Sequence, residues 1–147
     1  MRLAIPTVEA VGGVWFPIFM KKAYFEEDFV KLREKIQKVE ELVAANGNST
    51  SPFAFGTENP TQLDVHIYGS ISRIEMYKGS VYNDSLYEPI HFENYPHLIK
   101  LLAGFRSRPE FVGVLANPKP YHRYLEKSSE KPPGEKVQLY LPCPNDV

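Results

Sequence analysis

The chain has 147 residues, 43% hydrophobic and 24% charged, which is enough apolar mass for one folded domain with a real core. Seventeen Lys and Arg against eighteen Asp and Glu give a net charge of −1, so no global field attracts nucleic acid or an anionic membrane. The single cysteine, Cys143, excludes an internal disulfide, and no apolar run approaches the roughly 20 residues that span a bilayer.

Arg2 is followed by neither a clean apolar stretch nor an Arg- and Ser-rich amphipathic one. With the lone cysteine, this points to an intracellular protein, cytoplasmic or organellar (the mitochondrion included), and not a secreted one. Residues 1–20 are apolar but interrupted by Pro6, Gly12, Gly13 and Pro17, and they read as a broken or kinked helix. Trp15, Phe16 and Phe19 are candidates there for a hydrophobic pocket or an interface, the plainer reading being contact with the next helix.

Residues 25–46 carry the clearest helical stripe: Phe25, Phe29, Leu32, Ile36, Val39 and Val43, with Leu42 widening it. The opposite face mixes Lys, Arg and Glu and is solvated. Glu26, Glu27 and Asp28 suit the helix start, and Asn46-Gly47 supplies a stop. A polar loop follows, in which Phe53 and Phe55 are expected to plug into the core.

Thr61-Gln62-Leu63-Asp64 is a capping box, with Asp64 able to reach back to the Thr61 amide. The helix it opens is expected to run to about Lys78, to end at Gly79, and to be buried on much of its circumference. Leu63, Ile67, Ile71 and Ile74 form its core face, with Val65 and Tyr68 on the flanks. Residues 80–94 form a long connector. Asn94 or Tyr95 then caps a helix with Pro96 at its first position and a face of Leu98, Leu101, Leu102 and Phe105. A turn-rich helix is expected from Pro109 through Leu115. Beyond it lies a proline-rich tail with at most one short helix near Tyr121 to Lys127. In that tail Val137, Leu139 and Leu141 alternate as in a strand, and Tyr140 and Leu141 are candidate anchors for a partner or for the domain's own surface.

No nucleotide-binding or hydrolase fingerprint is present, and His66, His91, His97 and His122 lack metal-ligand spacing. Asp64 is explained by its cap position, and Cys143 has no base nearby in sequence. The reading therefore assigns no catalytic residue, no metal and no cofactor.

The order of these features resembles a known family. An aromatic Phe53-Ala54-Phe55-Gly56, a short loop and Pro60-Thr61-x-x-Asp64 opening a core helix are similar to the C-terminal, all-helical domain of glutathione transferases. Tyr95-Pro96-His97-Leu98 and Phe105-Arg106-Ser107-Arg108-Pro109 resemble its later helix pair, so the resemblance covers residues 25–115. It implies an all-α bundle, placed at residues 1–116, and the proline-rich composition of 117–147 adds an extended tail. In that family the thiol-activating residues lie in a thioredoxin-like N-terminal domain, and nothing before Phe25 is expected to build one. Glutathione binding is therefore not expected of this chain alone. Two readings follow: a non-catalytic interaction module in a larger assembly, or a transferase-like half that supplies a hydrophobic site to a separate thioredoxin-like chain.

Overall fold

A computed structural model describes residues 4–21, 24–45, 50–111 and 118–132. Among them the regular structure is entirely helical. In order come α1 (Ala4–Lys21), α2 (Glu26–Ala44), α3 (Gln62–Glu75), a run of short π and 3-10 turns between Asn83 and Asn94, α4 (Pro96–Arg106), a 3-10 turn at Pro109–Phe111, and α5 (Pro118–Ser129).

α1 packs against α2 and α3, and α4 packs against the same two helices from the other side. The four therefore form a ring with α2 and α3 across the bundle from each other. Ile36, Val39, Ile67, Ile71, Leu98 and Leu101 are completely buried between them. Burying each such aliphatic side chain contributes about 1.5–3 kcal/mol.

The expected break in the first helix does not occur, and α1 is continuous for 18 residues. Val8, Val11, Ile18 and Phe19 are buried along one face, which tertiary contact holds helical despite weak local propensity. Gly13 and Pro17 both lie on the exposed side, so the carbonyl that Pro17 leaves without its helical donor faces solvent.

Phe25 belongs outside its stripe: it is the N-cap of α2 and stands 56% exposed, while the core face begins at Phe29. The Asn46-Gly47 stop lies outside the described residues. α3 ends at Glu75, three residues before the expected boundary, and the chain turns through Gly79 at φ +74°, a conformation glycine adopts without strain. One side of α3, formed by Gln62, Val65, Gly69 and Arg73, is open to solvent, so it is less enclosed than the apolar pattern implies.

The connector folds into successive turns whose apolar residues Tyr82, Leu86, Ile90 and Phe92 are buried. His91 joins two of these turns in the left-handed region, at φ 58° and ψ 59°. Tyr95 is the N-cap of α4 and Pro96 its first residue, but the cap makes no side-chain hydrogen bond. The expected helix after Pro109 is a single 3-10 turn to Phe111, and Val112 and Leu115 lie outside the described residues. α5 is longer than the short helix expected near Tyr121, and Leu125 buries it on the bundle.

Candidate functional site

Two carboxylates are buried among the described residues, and each is surrounded by donors. Asp64 has no solvent exposure. Its Oδ2 accepts the Thr61 amide at 2.7 Å and the Thr61 hydroxyl at 2.8 Å, and its Oδ1 accepts the Ala54 amide at 2.7 Å. The capping box thus also pins the Phe53-Ala54-Phe55 turn to the start of α3. Phe53 enters the core against Phe105, with ring centroids 5.5 Å apart, whereas Phe55 points outward and is 51% exposed. The second aromatic is therefore no plug. Arg108 braces the same loop through the Glu58 carbonyl and Asn59, and its guanidinium lies 5.4 Å from the Phe53 ring centre.

The other carboxylate, Glu40, reaches from α2 to the N-terminus of α4. Oε1 accepts the His97 amide at 2.9 Å and Oε2 the Leu98 amide at 2.8 Å, while the His97 ring Nδ1 lies 2.7 Å from Oε1. A charged carboxylate only accepts, so Nδ1 is the donor of this pair. This is the geometry of a carboxylate that orients a base. Among the described residues no hydroxyl or thiol hydrogen-bonds Nε2, and both oxygens of Glu40 are committed to helix amides. The pair staples two helices.

The third feature is an aromatic cluster between α1, the end of α3 and α5. Tyr77 is its hub: its ring centre lies 6.1 Å from Trp15, 6.0 Å from Phe19, 6.2 Å from Tyr82 and 6.2 Å from Tyr121. The hydroxyls of Tyr24, Tyr77 and Tyr82 are buried, and among the described residues none of them makes a hydrogen bond of strict geometry. Tyr121 of α5 lies beside the Tyr77 hydroxyl and Ser128 beside that of Tyr82, each close enough to perturb it. Burial holds these phenols protonated. Tyr24 is pushed up to about 12, first by burial and then by Tyr82, and Tyr77 is raised further by burial and the neighbouring Tyr121. Phenols held neutral this firmly donate hydrogen bonds; they do not take protons near neutral pH.

The structure separates the three aromatic residues singled out in α1. Phe16 is half-exposed, Trp15 is partly buried beside it, and Phe19 is buried at 3% exposure. The void between Trp15, Phe19, Ile74 and Tyr77 is about 10 Å³ with apolar walls, at the lower limit for a single water. Tyr140 and Leu141 lie outside the described residues, as does Cys143. Among the described residues no group of three His, Cys, Asp or Glu side chains is placed to hold a metal ion. No helix of the described residues is long and apolar enough to cross a membrane.

The sequence reading places Glu40 on the solvated face of α2, whereas the structure buries it against His97; two signals mark the pair. Glu40 occupies a core-facing position, four residues after Ile36 and three before Val43. α4 opens on Tyr95-Pro96 without a capping side chain of its own, so its amides need an acceptor from elsewhere. Comparison of the chain with family models, curated proteins and solved structures returns no match.

Proposed function

We propose that the chain is a non-catalytic helical interaction module of the glutathione transferase C-terminal type, serving as an accessory or scaffolding subunit of a larger assembly. The observation that carries this reading is the outer surface at the start of α3. Phe55 and Val65 stand 51% and 57% exposed there, on two segments that the Ala54–Asp64 hydrogen bond holds together. Large apolar side chains fixed outward on a rigid support are suited to bury against another protein. The buried carboxylates support the same reading, because both are consumed in holding helices and loops. The order of capping box, core helix and Pro96-initiated helix supports the family likeness.

A transferase-like half completed by a thioredoxin-like chain is the second reading, and half-exposed Phe16 beside Trp15 is the feature that favours it. Isolation of the tagged full chain from its native cells, with identification of what accompanies it, tests both. The interaction module is expected to bring down a stable protein partner without a thioredoxin-like fold and to show no glutathione conjugation. A thioredoxin-like partner, or turnover that follows the chain through purification, overturns it in favour of the second reading.

A further inference from the structure

α2 carries two stripes. Phe29, Leu32, Ile36, Val39 and Val43 face the bundle, while Glu27, Lys31, Glu34, Lys38, Glu41 and Ala45 stand exposed on the outside. The outer residues recur at spacings of four, three, four, three and four, the period of a seam that meets another helix along its length. Their charges alternate, acidic then basic, from Glu27 to Glu41. Among the described residues the side chains of Glu27, Lys31, Glu34 and Lys38 make no hydrogen bond or ion pair, and Glu41 meets only the Gln37 amide at 3.4 Å. The seam is charged, regular and open.

The order of the charges selects both a partner and a direction. A second α2 laid antiparallel, with the two-fold axis level with Ile36, sets Glu34 opposite the partner's Lys38 and Lys31 opposite the partner's Glu41. Symmetry makes each of these pairs twice. Glu27 then faces only the neutral Ala45. A parallel arrangement instead sets Lys31 against Lys31 and Glu34 against Glu34, which repels. Val30, 41% exposed, and Ala44 lie together on one flank of the seam, and the antiparallel pairing brings each beside the other across it.

We propose that the chain pairs with a second copy of itself through the outer face of α2, antiparallel about a two-fold axis level with Ile36. The contact is narrow and made mainly of exposed ion pairs, so the dimer is reversible and weakens as salt screens it. It uses a different element from the Phe55 and Val65 surface and does not rest on the accessory-subunit reading.

Analytical ultracentrifugation of the full chain tests the pairing. The expected result is a monomer–dimer equilibrium whose dissociation constant rises about tenfold or more between about 0.05 M and 0.5 M salt. A chain that stays monomeric at every concentration in low salt, or a dimer indifferent to salt, overturns the proposal. The register is tested with Glu34→Lys and Lys38→Glu, both at exposed positions, with helicity checked by circular dichroism. Each variant alone sets like charges face to face and is expected to dimerise about tenfold more weakly or worse than the parent. Mixed, the two are expected to form a heterodimer within about threefold of the parent affinity, because each supplies the sign that the other has lost. Lys31→Glu and Glu41→Lys repeat the test at the outer pair. Variants that self-associate as the parent does, or mixtures that stay monomeric, overturn the proposal.

Discussion

Glu40 and His97 are joined twice across the bundle, the carboxylate Oε1 accepting the His97 backbone amide at 2.9 Å and its ring Nδ1 at 2.7 Å. With the Leu98 amide on Oε2, one side chain of α2 satisfies the start of α4, whose own N-cap residue contributes nothing. Glu40→Ala leaves two amides of a packed helix without acceptors and is expected to cost about 3 kcal/mol. Glu40→Gln is expected to cost nearly as much, because its amide group presents a donor to donors. Urea unfolding of the full chain measures both, and a loss below about 0.5 kcal/mol contradicts the cross-helix cap.

Asp64 serves a similar purpose inside a single segment, but it also reaches outside its helix. An ordinary cap substitution costs about 1 kcal/mol. Because Asp64 is fully buried and also holds the Ala54 amide, Asp64→Ala is expected to cost about 2–4 kcal/mol. Asp64→Asn places an NH₂ among N–H groups and is expected to rescue little. A melting temperature within a degree or so of the unaltered chain would show that the loop is held by other contacts.

Gly104 and Gly69 make a matched pair. A Cβ on Gly104 falls 2.6 Å from Cγ and 2.9 Å from Cβ of Pro52, a ring that cannot swing aside, while a Cβ on Gly69 meets nothing within 4 Å. Gly69→Ala on the exposed side of α3 is expected to stabilise by about 0.5–1 kcal/mol through helix propensity alone. Gly104→Ala is expected to destabilise by about 1–2 kcal/mol despite the same propensity gain, by pushing the Pro52–Phe53 loop off α4. Equal effects at the two sites contradict the close approach.

The signals that were readable in the sequence are local ones. The α2 stripe from Phe29 to Val43 and the Thr61-x-x-Asp64 cap each sit within a few helical turns, so periodicity and spacing reveal them, and with them the all-helical class. What was not readable depends on distant partners. α1 is continuous because Val8, Val11, Ile18 and Phe19 are buried, which propensity at Gly12, Gly13 and Pro17 does not foretell. Phe53 and Phe55 look alike in sequence, yet the turn fixed by Asp64 sends one inward and the other outward. The Glu40–His97 staple joins residues 57 apart, and its two signals, the core-facing position of Glu40 and the missing cap at Tyr95, lie on separate helices.

The buried phenols give a pH dependence with a definite sign. Tyr24 and Tyr77 hold their protons above the ordinary value of 10.0 in the folded chain, and unfolding restores that value. Their contribution to stability is therefore complete below pH 10.0 and is lost as pH rises from there through the folded range, which for Tyr24 lies near 12. Alkaline unfolding followed by circular dichroism is expected to coincide with a late step in phenolate absorbance, after the exposed tyrosines have titrated. All nine tyrosines ionising in one smooth step near pH 10.0, with helicity unchanged, contradicts the burial of these hydroxyls.

The most direct measurement for the interaction module is the stoichiometry of co-isolated protein, compared between the unaltered full chain and a Phe55→Ser, Val65→Ser double variant expressed in the same native cells. Both side chains are more than half exposed, so the variant is expected to melt within about 0.5 kcal/mol of the parent. The expected result is a partner in constant ratio with the parent, reduced at least tenfold with the variant. A chain that is recovered alone, or one whose partner stays in full ratio when Phe55 and Val65 are gone, contradicts the assignment of this surface and the function proposed from it.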